Sequence, residues 1–190
     1  ILKTGKPLVW TMHDIWPATA VCHITLDCRQ FETQCKNCRL LPSGIGKSLA
    51  QRTWKRKEAI ERRSHIIYIT CSKWLQGEAK RSALIGQNPI ECIPNPIDTS
   101  VFCKADKAEA RRKLGLPTDK RLILFASQRV TNQNKGMGYL VDACRKMVEQ
   151  HPETLANTAV VVLGGHAEDL RENFDLPMFP LGYVSDTQRI

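Results

Sequence analysis

Ile93-Pro94-Asn95-Pro96-Ile97-Asp98 decides how the rest of the chain is read. Its two prolines, two residues apart, fix φ and remove backbone donors, and the residue before each is pushed towards extended geometry. A helix cannot run through such a segment, whereas a bend between layers or domains can. Ahead of it lie the β-branched run Ile66-Ile67-Tyr68-Ile69-Thr70, a helix-like segment and a short apolar stretch. Beyond it a charged helical segment leads into Leu122-Ile123-Leu124-Phe125-Ala126. The stretch reads as a proline hinge between two α/β units, residues 1–98 and 99–190.

Working outward, Lys6-Pro7-Leu8-Val9-Trp10-Thr11-Met12 reads as a buried strand ending at His13-Asp14. Residues 15–46 show no sustained period and carry Pro, Gly and four clustered cysteines, so something must pin so long a loop. Ser48 to Arg63 is helix-like, His65 to Thr70 a strand, and Ser72 can cap a helix running to about Ala83. In the second half Asp106 and Glu109 have the spacing of a capping box, and Gly115 suits the C′ position of the helix they begin. Leu122 to Ser127 is a strand, followed by an amphipathic helix from Met137 that Pro152 stops. Ala159-Val160-Val161-Val162-Leu163 is a buried strand closed by Gly164-Gly165, and Met178 to Leu181 suggests another. Alternating helices and near-continuous apolar strands imply α/β units with parallel sheets covered on both faces.

The 190 residues suffice for a substantial core, and no apolar run approaches the roughly 20 residues of a membrane span. The chain opens on Ile and stops at Gln188-Arg189-Ile190, so we expect a central piece of a longer protein. Its formal charge of +9 draws phosphorylated ligands, nucleic acid or anionic lipid. The excess is local: Lys47 to Arg63 holds seven Lys or Arg against two Glu, either a solvated face or a contact with anionic membrane or acceptor. Eight cysteines would imply a disulfide scaffold only in a much smaller secreted chain. Half of them are scattered through apolar or helical stretches, which favours a reducing cytoplasm.

Cys22, Cys28, Cys35 and Cys38 supply four soft ligands within one loop, which suits a structural zinc site; reduced thiols or a disulfide are the alternatives. Gly44-Ile45-Gly46-Lys47-Ser48 is not a phosphate-binding P-loop, because position 41 is Leu and no apolar strand precedes it. Ser127 to Gly136 follows a strand and opens a helix, the carboxyl edge where open α/β sheets bind ligands. There Arg129 and Lys135, with the helix N-terminus behind Gly136, can clamp a diphosphate or form an ordinary solvated loop. Gly164-Gly165 is either a plain turn or a second place for close backbone approach to a phosphate. His13-Asp14, also past a strand end, can orient a reacting sugar hydroxyl or simply hold the loop that follows.

Taken in order, Pro7-Leu-Val-Trp-Thr-Met-His-Asp-Ile-Trp16, the cysteine loop, Ile69-Thr-Cys-Ser-Lys-Trp-Leu75, Ile93-Pro-Asn-Pro-Ile-Asp98, Lys135-Gly136 and Leu181-Gly-Tyr-Val-Ser-Asp186 resemble the family 4 glycosyltransferases. The likeness is greatest to cysteine-loop bacterial members linked to surface polysaccharide assembly, and it runs through almost the whole chain. It implies a GT-B architecture of two Rossmann-like domains. The second would hold a UDP- or GDP-linked sugar, and the first a polysaccharide or lipid-linked acceptor. Transfer would retain anomeric configuration without a catalytic metal. By the resemblance Lys135 and Arg129 contact the donor diphosphate, although the loop between them is long and Ser127 or Gln128 stands where the family usually has glycine.

The resemblance also implies missing parts: the first strands of the N-terminal domain, an upstream histidine segment, and a pair of glutamates with seven residues between them beyond Ile190. The piece is therefore expected to lack turnover that its parent has. Its expected place is the cytoplasm, peripherally at the inner membrane face, with no nucleic-acid partner. The rival readings are a zinc-stabilised basic nucleic-acid-binding module and a non-catalytic nucleotide-binding α/β protein.

Overall fold

The computed structural model describes residues 4–42 and 46–185, and of residues 46–48 the backbone alone. Gly44, Ile45 and Asp186, which belong to motifs quoted above, lie outside the described residues. Contacts divide the chain into two compact units, Ile1–Pro96 and Ile97–Ile190. From Ile93 to Asp98 the chain is neither helix nor strand and its side chains are exposed. Asp98 then closes a tight turn, its Oδ1 accepting from the Ser100 amide at 2.9 Å and the Ser100 hydroxyl at 2.6 Å.

The first unit runs β1 (Leu8–Met12), α1 (Gly46–Glu61), β2 (Ile66–Thr70), α2 (Lys73–Lys80) and β3 (Ile90–Cys92). Its three strands are parallel in the order β1-β2-β3, with Trp10 opposite Tyr68 and Tyr68 opposite Ile90. Because side chains alternate, Met12, Ile66, Tyr68 and Ile90 share one face, and they are buried against Trp54 of α1 and Leu75 of α2. Each large apolar side chain fully buried there contributes roughly 1.5–3 kcal/mol. The opposite face is not covered by any described helix: Val9 is 56% and Ile67 40% exposed. The expectation of cover on both faces therefore fails here, since β1-α1-β2 and β2-α2-β3 both return on the same side of the sheet. The expected cap of α2 is present, the Ser72 hydroxyl accepting from the Leu75 amide at 3.2 Å.

The second unit runs α3 (Lys107–Lys113), β4 (Arg121–Arg129), α4 (Met137–Gln150), α5 (Thr154–Asn157), β5 (Thr158–Gly165) and β6 (Met178–Gly182). Its strands are parallel in the order β4-β5-β6, so β5, the most apolar, lies in the middle. Ile123, Phe125, Val160, Val162 and Met178 face Met137 and Cys144 of α4. Leu122, Leu124, Val161 and Leu163 line a groove on the other face, of about 300 Å³, bounded by Leu114 and Leu116 after α3. No residue of α3 is buried. What docks its end is Arg111, whose Nη1 donates to the carbonyls of Pro117 (3.2 Å), Thr118 (3.2 Å) and Lys120 (2.9 Å).

The cap of α3 departs from the expected reciprocal box. Asp106 Oδ1 accepts from the Glu109 amide at 2.7 Å, but the Glu109 carboxylate pairs with Lys113 at 2.8 Å, one turn on. Gly115, with φ +66°, takes the left-handed position past the helix as its residue type requires. The chain is thus α/β, with two Rossmann-like parallel sheets of the kind expected from parts of a GT-B protein.

Candidate functional site

In a parallel sheet every strand ends at the same edge. The second sheet therefore gathers Ser127–Arg129, Gly164–His166 and Gly182–Val184 along its carboxyl edge. The register between β4 and β5 shifts between Ala126 and Arg129, so β4 kinks as it reaches this edge. Ala126, Ser127, Gln128, Gly164, Tyr183 and Val184 line a pocket there of about 280 Å³. Gly164 holds φ +142° and Gly182 φ +67°, and His166 is left-handed at φ +68°. The Val130 amide donates to the Gly165 carbonyl at 3.2 Å, fastening the loop after β4 to the end of β5.

The sequence placed Arg129, Lys135 and Gly136 at this edge. Arg129 is the last residue of β4, and Lys135 ends a single helical turn, Gln133–Lys135, begun by Asn132. The Asn132 side chain accepts from the Asn134 amide at 3.0 Å, which tightens that turn. Gly136, at φ +83°, closes it and caps α4 in one step, a conformation that costs other residues roughly 1–2 kcal/mol. Among the described residues neither Arg129 nor Lys135 forms an ion pair, and both are exposed. The result is two uncompensated cations beside the N-terminus of a 14-residue helix. Such an arrangement attracts an anion through both fixed charge and unpaired first-turn amides.

Tyr183 and Val184 were read only as part of a motif. Their contribution to the pocket follows from β6 being parallel to β5, and the signal available in sequence was their position just past Leu181-Gly182.

At the carboxyl edge of the first sheet, His13 and Asp14 follow β1. Asp14 Oδ1 accepts from the Trp16 amide at 2.8 Å, so this carboxylate holds the turn into the cysteine loop. His13 is exposed.

That loop is anchored by a residue the sequence reading left among the surface cations. Lys57 of α1 is half-buried, and its Nζ donates to the carbonyls of Trp16 (2.6 Å) and Thr19 (2.8 Å) while lying 3.6 Å from the centre of the Trp16 ring. Burial pulls its ammonium down to about 8, against the upward pull of Cys22, Cys35, Glu61 and Asp14. Arg52, Lys55 and Arg56 remain exposed on the same helix. One turn on from Lys57, Glu61 accepts from the Tyr68 hydroxyl and from Asn88 Nδ2, each at 2.8 Å. Burial raises the Glu61 carboxyl, with the two hydrogen bonds and Lys57 opposing it.

Cys22, Cys28, Cys35 and Cys38 line one small cavity of about 20 Å³, and all four are free thiols. Burial pushes Cys35 up to about 11, helped by its three fellow cysteines and opposed by a hydrogen bond from the Ala20 amide; Cys22 is raised for the same principal reason. Among the described residues no group of three or more His, Cys, Asp or Glu is set to hold a metal ion. No described helix is long and apolar enough to cross a membrane.

No family model matches the chain. It is similar to curated proteins named D-inositol 3-phosphate glycosyltransferase. That of Acidothermus cellulolyticus is 33% identical over 84 residues, which cover 43% of this chain and 18% of the relative. The protein from Thermobispora bispora is 34% identical over 74 residues, 38% of the chain and 17% of the relative. The one from a Nocardioides species is 32% identical over 76 residues, 40% and 16%. The chain therefore spans less than a fifth of the length of these relatives in the matched region, and within that span it is similar to glycosyltransferases.

Proposed function

We propose that this chain is part of a retaining glycosyltransferase that takes a hexose-type sugar from a UDP- or GDP-linked donor to a polysaccharide or lipid-linked acceptor. The donor occupies the carboxyl edge of the second sheet. Its nucleoside rests in the pocket between Ser127, Gly164 and Tyr183, and its diphosphate meets Arg129, Lys135 and the start of α4. As the sugar departs, negative charge grows on the diphosphate. Two cations already fixed nearby stabilise it without reorganisation. His13 stands on the acceptor side as the group that orients the reacting hydroxyl, and Asp14 sets the turn that presents it.

The observation that carries this reading is a pair of exposed cations without an ion pair among the described residues, Arg129 at the kinked end of β4 and Lys135 in the turn that leads into α4. The similarity to named glycosyltransferases supports it independently. The relatives' name brings an alternative acceptor, a phosphorylated inositol. The cytoplasmic face of a membrane suits the reading, with exposed Arg52, Lys55 and Arg56 meeting anionic lipid.

The test is release of nucleoside diphosphate from UDP- and GDP-sugars, with lipid-linked saccharide or inositol phosphate as acceptor. The longer parent protein should turn over and the 190-residue chain should not. Turnover by the chain above a Lys135→Ala control refutes the expected division of labour. No turnover by the parent with any donor refutes the transferase reading. In that case salt-sensitive binding of DNA or RNA would favour the basic nucleic-acid module instead.

A further inference from the structure

Residues 13–42, which follow β1, have little regular structure, and their ties converge on the cysteines. Gln30 spans the Cys35–Cys38 knuckle: its Oε1 accepts from the amides of Lys36 (3.1 Å) and Asn37 (3.2 Å), and its Nε2 donates to the Asn37 carbonyl at 3.0 Å. Cys28 closes a turn onto the Thr25 carbonyl at 2.9 Å, through Leu26 in the left-handed region at φ 52°. The Thr19 hydroxyl donates to the Cys22 carbonyl at 2.6 Å, and the Leu41 amide donates to the Cys38 carbonyl at 3.3 Å. Hydrogen bonds thus hold the backbone at or next to each of the four cysteines, and all four line one cavity together with Gln30 and Arg39. Its volume of about 20 Å³ is the room for a single small ion or one water.

We propose that Cys22, Cys28, Cys35 and Cys38 bind one zinc ion as four thiolates, a structural site that closes the loop onto the first sheet. The donor set is all sulfur, which selects zinc over the hard cations Mg²⁺ and Ca²⁺. With no open ligand position such a site is structural. On binding, four thiols each release a proton to solvent and four Zn–S bonds form, leaving a net charge of about −2 on the centre. Lys57 lies close enough to feel Cys22 and Cys35 electrostatically and is already held at the loop by Trp16 and Thr19. It compensates part of that charge, as outer-shell groups do. The described thiols are not at ligating positions, so capture draws the sulfurs inward by rotation about their side-chain bonds to about 2.3 Å from the ion.

The experiment uses the full 190-residue chain, purified reduced and without chelator. Elemental analysis should give about one zinc per chain, and replacement with Co²⁺ should give the thiolate charge-transfer band and intense visible bands of a tetrahedral four-sulfur centre. A Cys35→Ser/Cys38→Ser variant should lose both signals; if it does not fold, the wild-type cobalt spectrum decides alone. Zinc below about half an equivalent without a cobalt charge-transfer band overturns the site, and so does a disulfide among the four found by mass spectrometry under these conditions.

Discussion

Gly164 and Ser127 approach so closely that a β-carbon on Gly164 would lie 1.8 Å from the Ser127 carbonyl oxygen. Val130 Cγ1 would be only 2.9 Å away on the same side, and φ at Gly164 is +142°. The ends of β4 and β5 meet at this point, and the candidate donor pocket opens beside it. Neither neighbour can yield cheaply, because one is backbone and the other a fully buried valine. Gly164→Ala should therefore cost roughly 3 kcal/mol or more, at the upper end for single substitutions. Urea unfolding followed in the second unit measures it, and a loss below about 1 kcal/mol contradicts the packing.

Two glycines of one turn should behave oppositely. Gly136 has φ +83° with only the Tyr139 side chain, at 3.6 Å, near a new β-carbon, so Gly136→Ala should lose about 1 kcal/mol to backbone strain alone. Gly138 lies inside α4 with nothing within 4 Å, so Gly138→Ala should gain about 0.5–1 kcal/mol. Thermal melts of both variants against the parent chain test the pair; equal signs would contradict the left-handed cap.

Lys57 connects α1 to the loop that carries the cysteines. Lys57→Met keeps the length of the side chain but removes two donors and the charge over Trp16. The expected loss is about 1–3 kcal/mol, felt first as faster proteolysis between residues 20 and 41. Unchanged cleavage in that window would show that the loop does not depend on this anchor.

Glu61 makes a prediction about pH. Its carboxyl is raised above 4.5 in the folded chain, chiefly by burial, so the folded state holds the proton more tightly than the unfolded one. The associated stability is fully present below 4.5 and is lost as pH climbs through the raised folded value. Lys57, Tyr68 and Asn88 face the group and are unchanged in Glu61→Gln. Subtracting the variant's stability–pH curve from that of the parent should leave a decline beginning near 4.5 and running upward in pH. A flat difference, or one that rises, would contradict the burial of this carboxylate.

Much of this architecture could be read from residue order, and the reasons differ between elements. β5 announces itself because Ala159, Val160, Val161 and Val162 are all buried in mid-sheet, a requirement that an unbroken apolar run meets. Ser72 and Asp106 cap their helices because a short side-chain acceptor three residues before a free amide has little else to bond. By contrast β4 extends past Ser127 to Arg129, since pairing with Gly165 outweighs the polar side chains there. α5 (Thr154–Asn157) was not legible: it is one turn with no buried face, placed by Pro152 and the start of β5. Lys57 and Gln30 were missed for a common reason. Each acts on backbone groups outside its own helical turn, six or seven residues on for Gln30 and 38 or 41 residues back for Lys57, and a residue type carries no mark of such a partner.

The central claim is that the carboxyl edge of the second sheet receives a nucleoside diphosphate, and hydrogen exchange with and without UDP or GDP tests it most directly. The account predicts slowed exchange at 127–139 and 164–166, lost on Lys135→Ala and weakened on Arg129→Ala. Protection confined to other segments, or the same protection in the Lys135→Ala chain, would contradict it.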